Sequence, residues 1–137
     1  MTELLFVYGT LLPGMEPPAM SNLVRQFTLL GPATIRGRLY DIGPYPGVLL
    51  DDDGIVRGQL VQVPSLDLWQ RLDRYEACPL PNSADGLFRR VTTKATRDGA
   101  SPIECWVYVY NRDLTGATLV EGGCWLTHRR LPKIIPS

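Results

Sequence analysis

Two stretches of this chain constrain its fold more than any others: Ile35-Arg36-Gly37-Arg38-Leu39 and Val56-Arg57-Gly58-Gln59-Leu60. Both are strand-like, and each carries a glycine in its middle. Glycine inside a strand marks a bulge, a bend or a close approach of another backbone. The two read as strands of one strongly curved sheet, and not as an internal repeat. Between them, YPGVLL and the turn Asp51-Asp52-Asp53-Gly54 predict a hairpin with the chain from Val56 onwards.

The remaining pattern adds short elements around that sheet. Residues 4–8 (LLFVY) are continuously apolar and stop at Gly9, as a strand buried on both faces does. Residues 9–18 hold two Gly and three Pro, a loop by composition. Met20, Leu23, Val24, Phe27 and Leu30 fall at helical spacing, which predicts a helix over 19–30 ended by Gly31-Pro32. Residues 65–75 predict a second helix, with Ser65 as its cap, Asp67 in its first turn, and Leu68, Trp69, Leu72 and Tyr75 along one face. Pro79 and Pro81 prevent its continuation. Phe88–Thr96 and Ile103–Tyr110 read as two strands joined across Asp98-Gly99. From Asn111 on, the pattern specifies no element, and the His128-Arg129-Arg130 cluster reads as part of a surface tail.

Length and balance exclude several classes. A chain of 137 residues fits one domain, 1–137, with room for a sizeable core. Lys+Arg and Asp+Glu each number 14, so net charge gives no reason to expect nucleic acid or an anionic membrane as a partner. No stretch is apolar for long enough to span a bilayer as a helix, and MTELLFVYGT lacks the basic region of a signal peptide. Cys78, Cys105 and Cys124 are odd in number and lack C-x-x-C spacing, which argues against a disulfide framework or a structural zinc. The expectation is a reduced, cytoplasmic protein.

Glu76 is the residue with the most chemical potential. It follows the second helix directly, facing the negative end of the helix dipole, between Tyr75 and Ala77-Cys78-Pro79. If buried there, both effects disfavour its charged form and raise its pKa toward neutrality, the condition for a general acid/base. The alternative is an exposed acid in a turn, the ordinary place for a glutamate. Tyr8-Gly9-Thr10-Leu11 follows a buried strand, where a tight turn aims successive backbone N–H groups outward and binds a carboxylate or oxyanion, unless it is merely a turn. Tyr108 and Tyr110 share one face of their strand and serve equally as cavity wall or core. His128, the only histidine, is a poor candidate for a triad, and Asp51–Gly54 lacks the alternating ligands of a calcium loop. Cys78 reads as a small buried residue.

Taken in order, these motifs resemble the γ-glutamylcyclotransferase/AIG2-like family over most of the chain. Phe6-Val7-Tyr8-Gly9-Thr10-Leu11 is similar to its opening strand and substrate-binding turn, and Tyr45-Pro46-Gly47 and Val56-Arg57-Gly58 to its middle landmarks. Leu72-Asp73 followed by Glu76 resembles the segment bearing the catalytic glutamate, with Tyr75-Glu76-Ala77-Cys78-Pro79 closest to the γ-glutamylamine cyclotransferase branch. Phe88-Arg89-Arg90, Trp106–Tyr110 and Gly123-Cys124-Trp125 resemble its later motifs. The resemblance implies a compact α+β fold, a mixed β-barrel with a few helices. It also implies an enzyme in which the α-amine of a γ-glutamyl group attacks its own side-chain carbonyl, giving 5-oxoproline and a released amine or amino acid. Glu76 would be the catalytic acid/base, with Tyr8, Gly9, Thr10, Leu11, Phe88, Tyr108 and Tyr110 binding substrate. No cofactor is implied, since nucleophile and electrophile share one molecule. Phe88 stands where the family often has tyrosine, and Cys124 where it often has aspartate. The rival reading is a non-catalytic AIG2-like module that binds a small metabolite or a protein through the same cavity.

Overall fold

Strand β1 (Leu4–Val7) alternates between two apolar environments, which is why its sequence is apolar at every position. Phe6, with Tyr8 just beyond it, packs with Ala33, Ile35, Val56, Leu60, Cys105 and Val107, while Leu5 and Val7 pack with Val61, Val63, Leu68, Trp69 and Leu72. The computed structural model describes residues 3–12, 14–78 and 86–130. After β1 come α1 (Ser21–Val24), β2 (Thr28–Arg36), β3 (Arg38–Asp41), β4 (Pro46–Leu49) and β5 (Ile55–Gln62). Helix α2 (Leu66–Tyr75), β6 (Phe88–Thr96), β7 (Ile103–Tyr110), β8 (Thr118–Leu119) and α3 (Trp125–Arg130) follow.

Five strands close into a barrel in the order β1-β5-β2-β6-β7, sealed by a parallel contact that sets Leu5 opposite Trp106. The α+β barrel expected from the sequence is therefore present. Beside it lies a three-stranded sheet in the order β4-β3-β8. Helix α2 forms as its sequence specifies: the Ser65 hydroxyl accepts from the Leu68 N–H at 3.3 Å, and Leu68, Trp69 and Leu72 are buried against the barrel. Strands β6 and β7 occupy the predicted spans and pair in register from Phe88↔Tyr110 to Ala95↔Ile103. Among the described residues no helix is long and apolar enough to cross a membrane.

Four expectations need correction. The predicted helix over 19–30 shrinks to Ser21–Val24, and Thr28 already begins β2. Leu23 and Val24 are buried as the spacing suggests, but Leu29 is 55% exposed because β2 pairs with β5, Thr28 opposite Gln62 and Leu29 opposite Val61. Gly31-Pro32 bends the strand instead of ending a helix: the register slips between Leu29 and Gly31, and Gly31 takes the left-handed φ of 122° that a bulge uses.

Second, residues 35–39 are not one strand. The chain breaks at Gly37, leaving Ile35-Arg36 in the barrel and Arg38-Leu39 in the small sheet. A side chain at 37 would begin 2.7 Å from the Leu49 carbonyl oxygen, so only glycine allows that crossing. Third, the YPGVLL strand pairs backwards with β3, Arg38 opposite Leu49, and not forwards with β5. Residues 51–54 are the connection between the sheets, with the Asp53 N–H bonded to the Asp51 carboxylate at 2.8 Å and Arg38 to the same carboxylate at 3.0 Å. Fourth, the chain past Asn111 is no surface tail. It adds β8 to the small sheet and buries Trp125, while His128 meets the Asp41 carboxylate at 2.9 Å. Pro79 and Pro81 lie outside the described residues.

Candidate active site

The end of α2 is built to hold Glu76 in place. Glu76 is its C-cap, and the next two amides turn back on the helix, Ala77 N–H to Arg74 C=O at 3.1 Å and Cys78 N–H to Asp73 C=O at 2.8 Å. This is a Schellman closure, and it requires a left-handed residue at 77. Alanine occupies that position at φ 51°, the only non-glycine with positive φ among the described residues. Replacing Ala77 with glycine is expected to stabilise the protein by about 1 kcal/mol, since the strain of a Cβ in this region is removed. Urea midpoints of the two proteins measure it, and an unchanged or lower midpoint contradicts it.

Glu76 opens into a cavity of about 210 Å³. Tyr8, Gly9, Thr10 and Leu11 form one wall, Tyr45 and Pro46 another, and Tyr75, Leu87, Phe88 and Tyr108 complete it. Glu76 and the turn after β1 thus face the same space although they are far apart in sequence. Of the residues expected at the site, Tyr110 alone is not among the cavity's lining. It lies behind Phe88, ring against ring at 5.5 Å, and a side chain at Gly47 would run into it.

The turn is closed by the Leu12 N–H, which donates to the Gly9 carbonyl at 2.9 Å. Gly9 is demanded by space and not by a left-handed backbone: a Cβ there would sit 2.5 Å from Pro46 Cγ. The Thr10 hydroxyl and the Tyr75 hydroxyl are 2.9 Å apart, tying the turn to the end of α2. Tyr8 donates to the Tyr108 carbonyl at 2.5 Å, which anchors the turn to β7.

Electrostatics follow from this enclosure. Glu76 keeps intermediate exposure as a residue because it faces the cavity, yet burial of its carboxyl group, with the neighbouring Asp73 carboxylate as a second cause, pushes its pKa up to about 8. The phenols of Tyr8, Tyr45, Tyr75 and Tyr108 are all raised, burial being the largest cause in each and Glu76 a contributor. They remain neutral hydrogen-bonding groups at physiological pH. Cys78 is 2% exposed and burial raises its thiol, consistent with a packing role. His128 does not line the cavity, and no cluster of three metal-ligating side chains occurs among the described residues.

One group of residues was not singled out from the sequence. Arg90 grips Asp73 with two parallel bonds, Nε to Oδ1 at 3.0 Å and Nη2 to Oδ2 at 3.1 Å, and Tyr108 donates to the same Oδ1 at 2.6 Å. The guanidinium lies between two indoles, 4.7 Å from the Trp69 ring and 4.5 Å from the Trp106 ring. The signal available in the sequence was Asp73 itself, three residues before Glu76 and hence on nearly the same helix face.

Along most of its length the chain is similar to known proteins. The family model described as "Gamma-glutamyl cyclotransferase, AIG2-like" matches residues 5–127. A gamma-glutamylcyclotransferase family protein, ytfP, from Citrobacter rodentium is 30% identical over 123 residues, covering 89% of this chain and 94% of that protein. The solution structure of Escherichia coli ytfP superposes with a TM-score of 0.64 at 26% identity, covering 93% of this chain and 99% of the other. Crystalline YkqA of Bacillus subtilis gives a TM-score of 0.70 at 24% identity over 94% of this chain, which spans only 41% of that longer protein. The ytfP relative is named at the level of the family and not of a branch, so the resemblance to the γ-glutamylamine branch stays unresolved. The chain belongs to the gamma-glutamyl cyclotransferase, AIG2-like family.

Proposed function

We propose that the protein is a γ-glutamyl cyclotransferase that converts a small γ-glutamyl compound into 5-oxoproline and a free amine or amino acid. The observation that carries this reading is Glu76: a carboxyl group with a pKa of about 8, opening into the same cavity as the Tyr8–Leu11 turn. Ordinary α-amino groups titrate near 8, so a substrate ammonium and Glu76 have closely matched proton affinities. The complexes Glu76 carboxylate with ammonium and Glu76 carboxylic acid with free amine then differ only in the position of one proton and interconvert easily. The free amine attacks the γ-carbonyl carbon, forming the ring C–N bond. Glu76 gives its proton to the departing nitrogen as the original amide C–N bond breaks, and its carboxylate then takes the second proton of the ring nitrogen, leaving a neutral lactam and the free amine.

The amides of Thr10 and Leu11, at the end of a strand held by its neighbours, would receive the substrate carboxylate or the developing oxyanion. Neutral Tyr8 and Tyr75 border the same space. A cavity wall that held the γ-glutamyl group in a folded conformer would lower the entropic cost of ring closure. Incubating the protein with a panel of γ-glutamyl amines and γ-glutamyl amino acids, and quantifying both products by mass spectrometry, tests the proposal. Equal amounts of 5-oxoproline and amine from at least one member are expected. No product across the panel would overturn it and favour a non-catalytic binding module.

A further inference from the structure

We propose that Asp73 is a positioning residue for Glu76: held rigidly by Arg90 and Tyr108, its carboxylate supplies the fixed negative charge against which Glu76 exchanges its proton. This rests on the cyclotransferase reading for its purpose, although its physical content does not depend on a substrate. Neither Asp73 nor Arg90 lines the cavity; Asp73 borders a separate cleft with Gln70, Arg74, Ala77 and Cys78. Their influence on the chemistry therefore passes through the cavity residues they hold, Glu76 at the helix end and Tyr108.

Three donors converge on one carboxylate, two from Arg90 at 3.0 and 3.1 Å and one from Tyr108 at 2.6 Å. Such charge-assisted, bidentate contacts are short and directional. The side chains of Arg90 and Asp73 are only 12% and 16% exposed, so solvent screens the pair weakly. Trp69 and Trp106 sandwich the guanidinium and remove its freedom to swing away. The backbone completes the clamp, because the Asp73 carbonyl accepts the Cys78 N–H that closes the turn around Glu76. Asp73 thus fixes Glu76 twice, through the helix end and through its charge.

Among the described residues, the phenols and the thiol around Glu76 carry no charge at neutral pH, and the Arg90 guanidinium is engaged by Asp73. Tyr8 arrives from β1, Tyr45 from the loop before β4, Tyr75 from α2, and Tyr108 from β7, with the Cys78 thiol just beyond. Burial keeps all five protonated. Among the described residues Asp73 is then the neighbouring carboxylate that raises the proton affinity of Glu76, as like-charged carboxylates do.

The test is a ¹³C NMR titration of glutamate-labelled protein without substrate, with Glu76→Gln identifying the resonance. In Asp73→Asn the Glu76 midpoint is expected to fall by about one pH unit or more. In Arg90→Gln, which leaves the Asp73 charge without its counter-ion, the Glu76 midpoint is expected to rise. A midpoint that stays fixed, or moves the same way in both variants, overturns the proposal; should either variant fail to fold, the other still decides it. Where turnover is measured, the acid limb of kcat/KM follows the midpoint, and a limb that stays put while turnover falls contradicts the positioning role. A protein inactive on every γ-glutamyl compound would defeat the proposed function and leave the titration as informative as before.

Discussion

Replacing Glu76 with glutamine makes the protein more stable, and the gain grows with pH. The cause is the carboxyl group's enclosure, which lifts its pKa from the ordinary 4.5 to about 8 in the folded state. Below about pH 4.5 both folded and unfolded chains carry the proton and the group has no effect. Between there and pH 8 the unfolded chain releases its proton while the folded protein retains it, so stability falls as pH rises. Above pH 8 the folded protein bears a buried charge in full. Each pH unit of displacement corresponds to about 1.4 kcal/mol, so the variant gains on the order of 3 kcal/mol or more at pH 9 and almost nothing at pH 4. Urea unfolding of both proteins across this range measures the difference. Parallel stability curves would mean that Glu76 is solvated and ordinary. A residue that weakens the fold while holding a proton near neutrality is what a functional acid looks like.

The second large effect is structural. Gly58→Ala is expected to cost about 3 kcal/mol or more, beyond the usual range for overpacking. A Cβ at 58 would lie 2.2 Å from the Val7 carbonyl oxygen and 2.8 Å from Phe6 Cζ. The oxygen belongs to β1 where it pairs with β5, Phe6 opposite Leu60 and Val7 opposite Gln59, so it has no room to retreat without opening the barrel. Since β1 also carries the Tyr8–Leu11 turn, substrate binding falls with stability. Thermal unfolding decides the point, and a melting temperature within a degree or two of the parent would refute the close approach. By contrast, Gly99, at φ 70° with nothing within 4 Å of an added Cβ, is a turn glycine whose replacement strains only the backbone.

These two glycines illustrate what was legible in the sequence. The middle of Val56–Leu60 announced a special backbone position, and the structure supplies its partner, β1. The similar stretch around Gly37 looked identical but divides two sheets, because pairing partners are decided by segments distant in the chain. The same limit produced the wrong hairpin: YPGVLL has a suitable turn on either side, and only the packing of β3 with β8 and of β5 with β2 selects between them. The helix over 19–30 failed because Phe27 and Leu30 fit a helical spacing although the chain pairs as a strand from Thr28, and the competing pull of β5 lies some thirty residues downstream. Elements whose determinants are local, α2 with its Ser65 cap and the β6–β7 hairpin with Gly99 at its turn, were readable in full.

The site divides in the same way. Glu76 and the residues after β1 stand out individually, through their positions at element ends. Their convergence on one cavity, the inclusion of Tyr45, Tyr75 and Leu87, and the exclusion of Tyr110 depend on how the barrel closes. The Arg90–Asp73–Tyr108 cluster joins β6, α2 and β7, and no spacing rule within one segment contains it.

Side-by-side turnover of the parent and Glu76→Gln tests the central claim most directly, using the γ-glutamyl substrate on which the parent releases 5-oxoproline fastest. Glutamine fills the same volume but cannot accept and return a proton, so the variant, folded and at least as stable, should lose ~10²–10⁴-fold in turnover with little change in substrate affinity. Turnover within a factor of two of the parent would remove Glu76 from the mechanism and contradict the account.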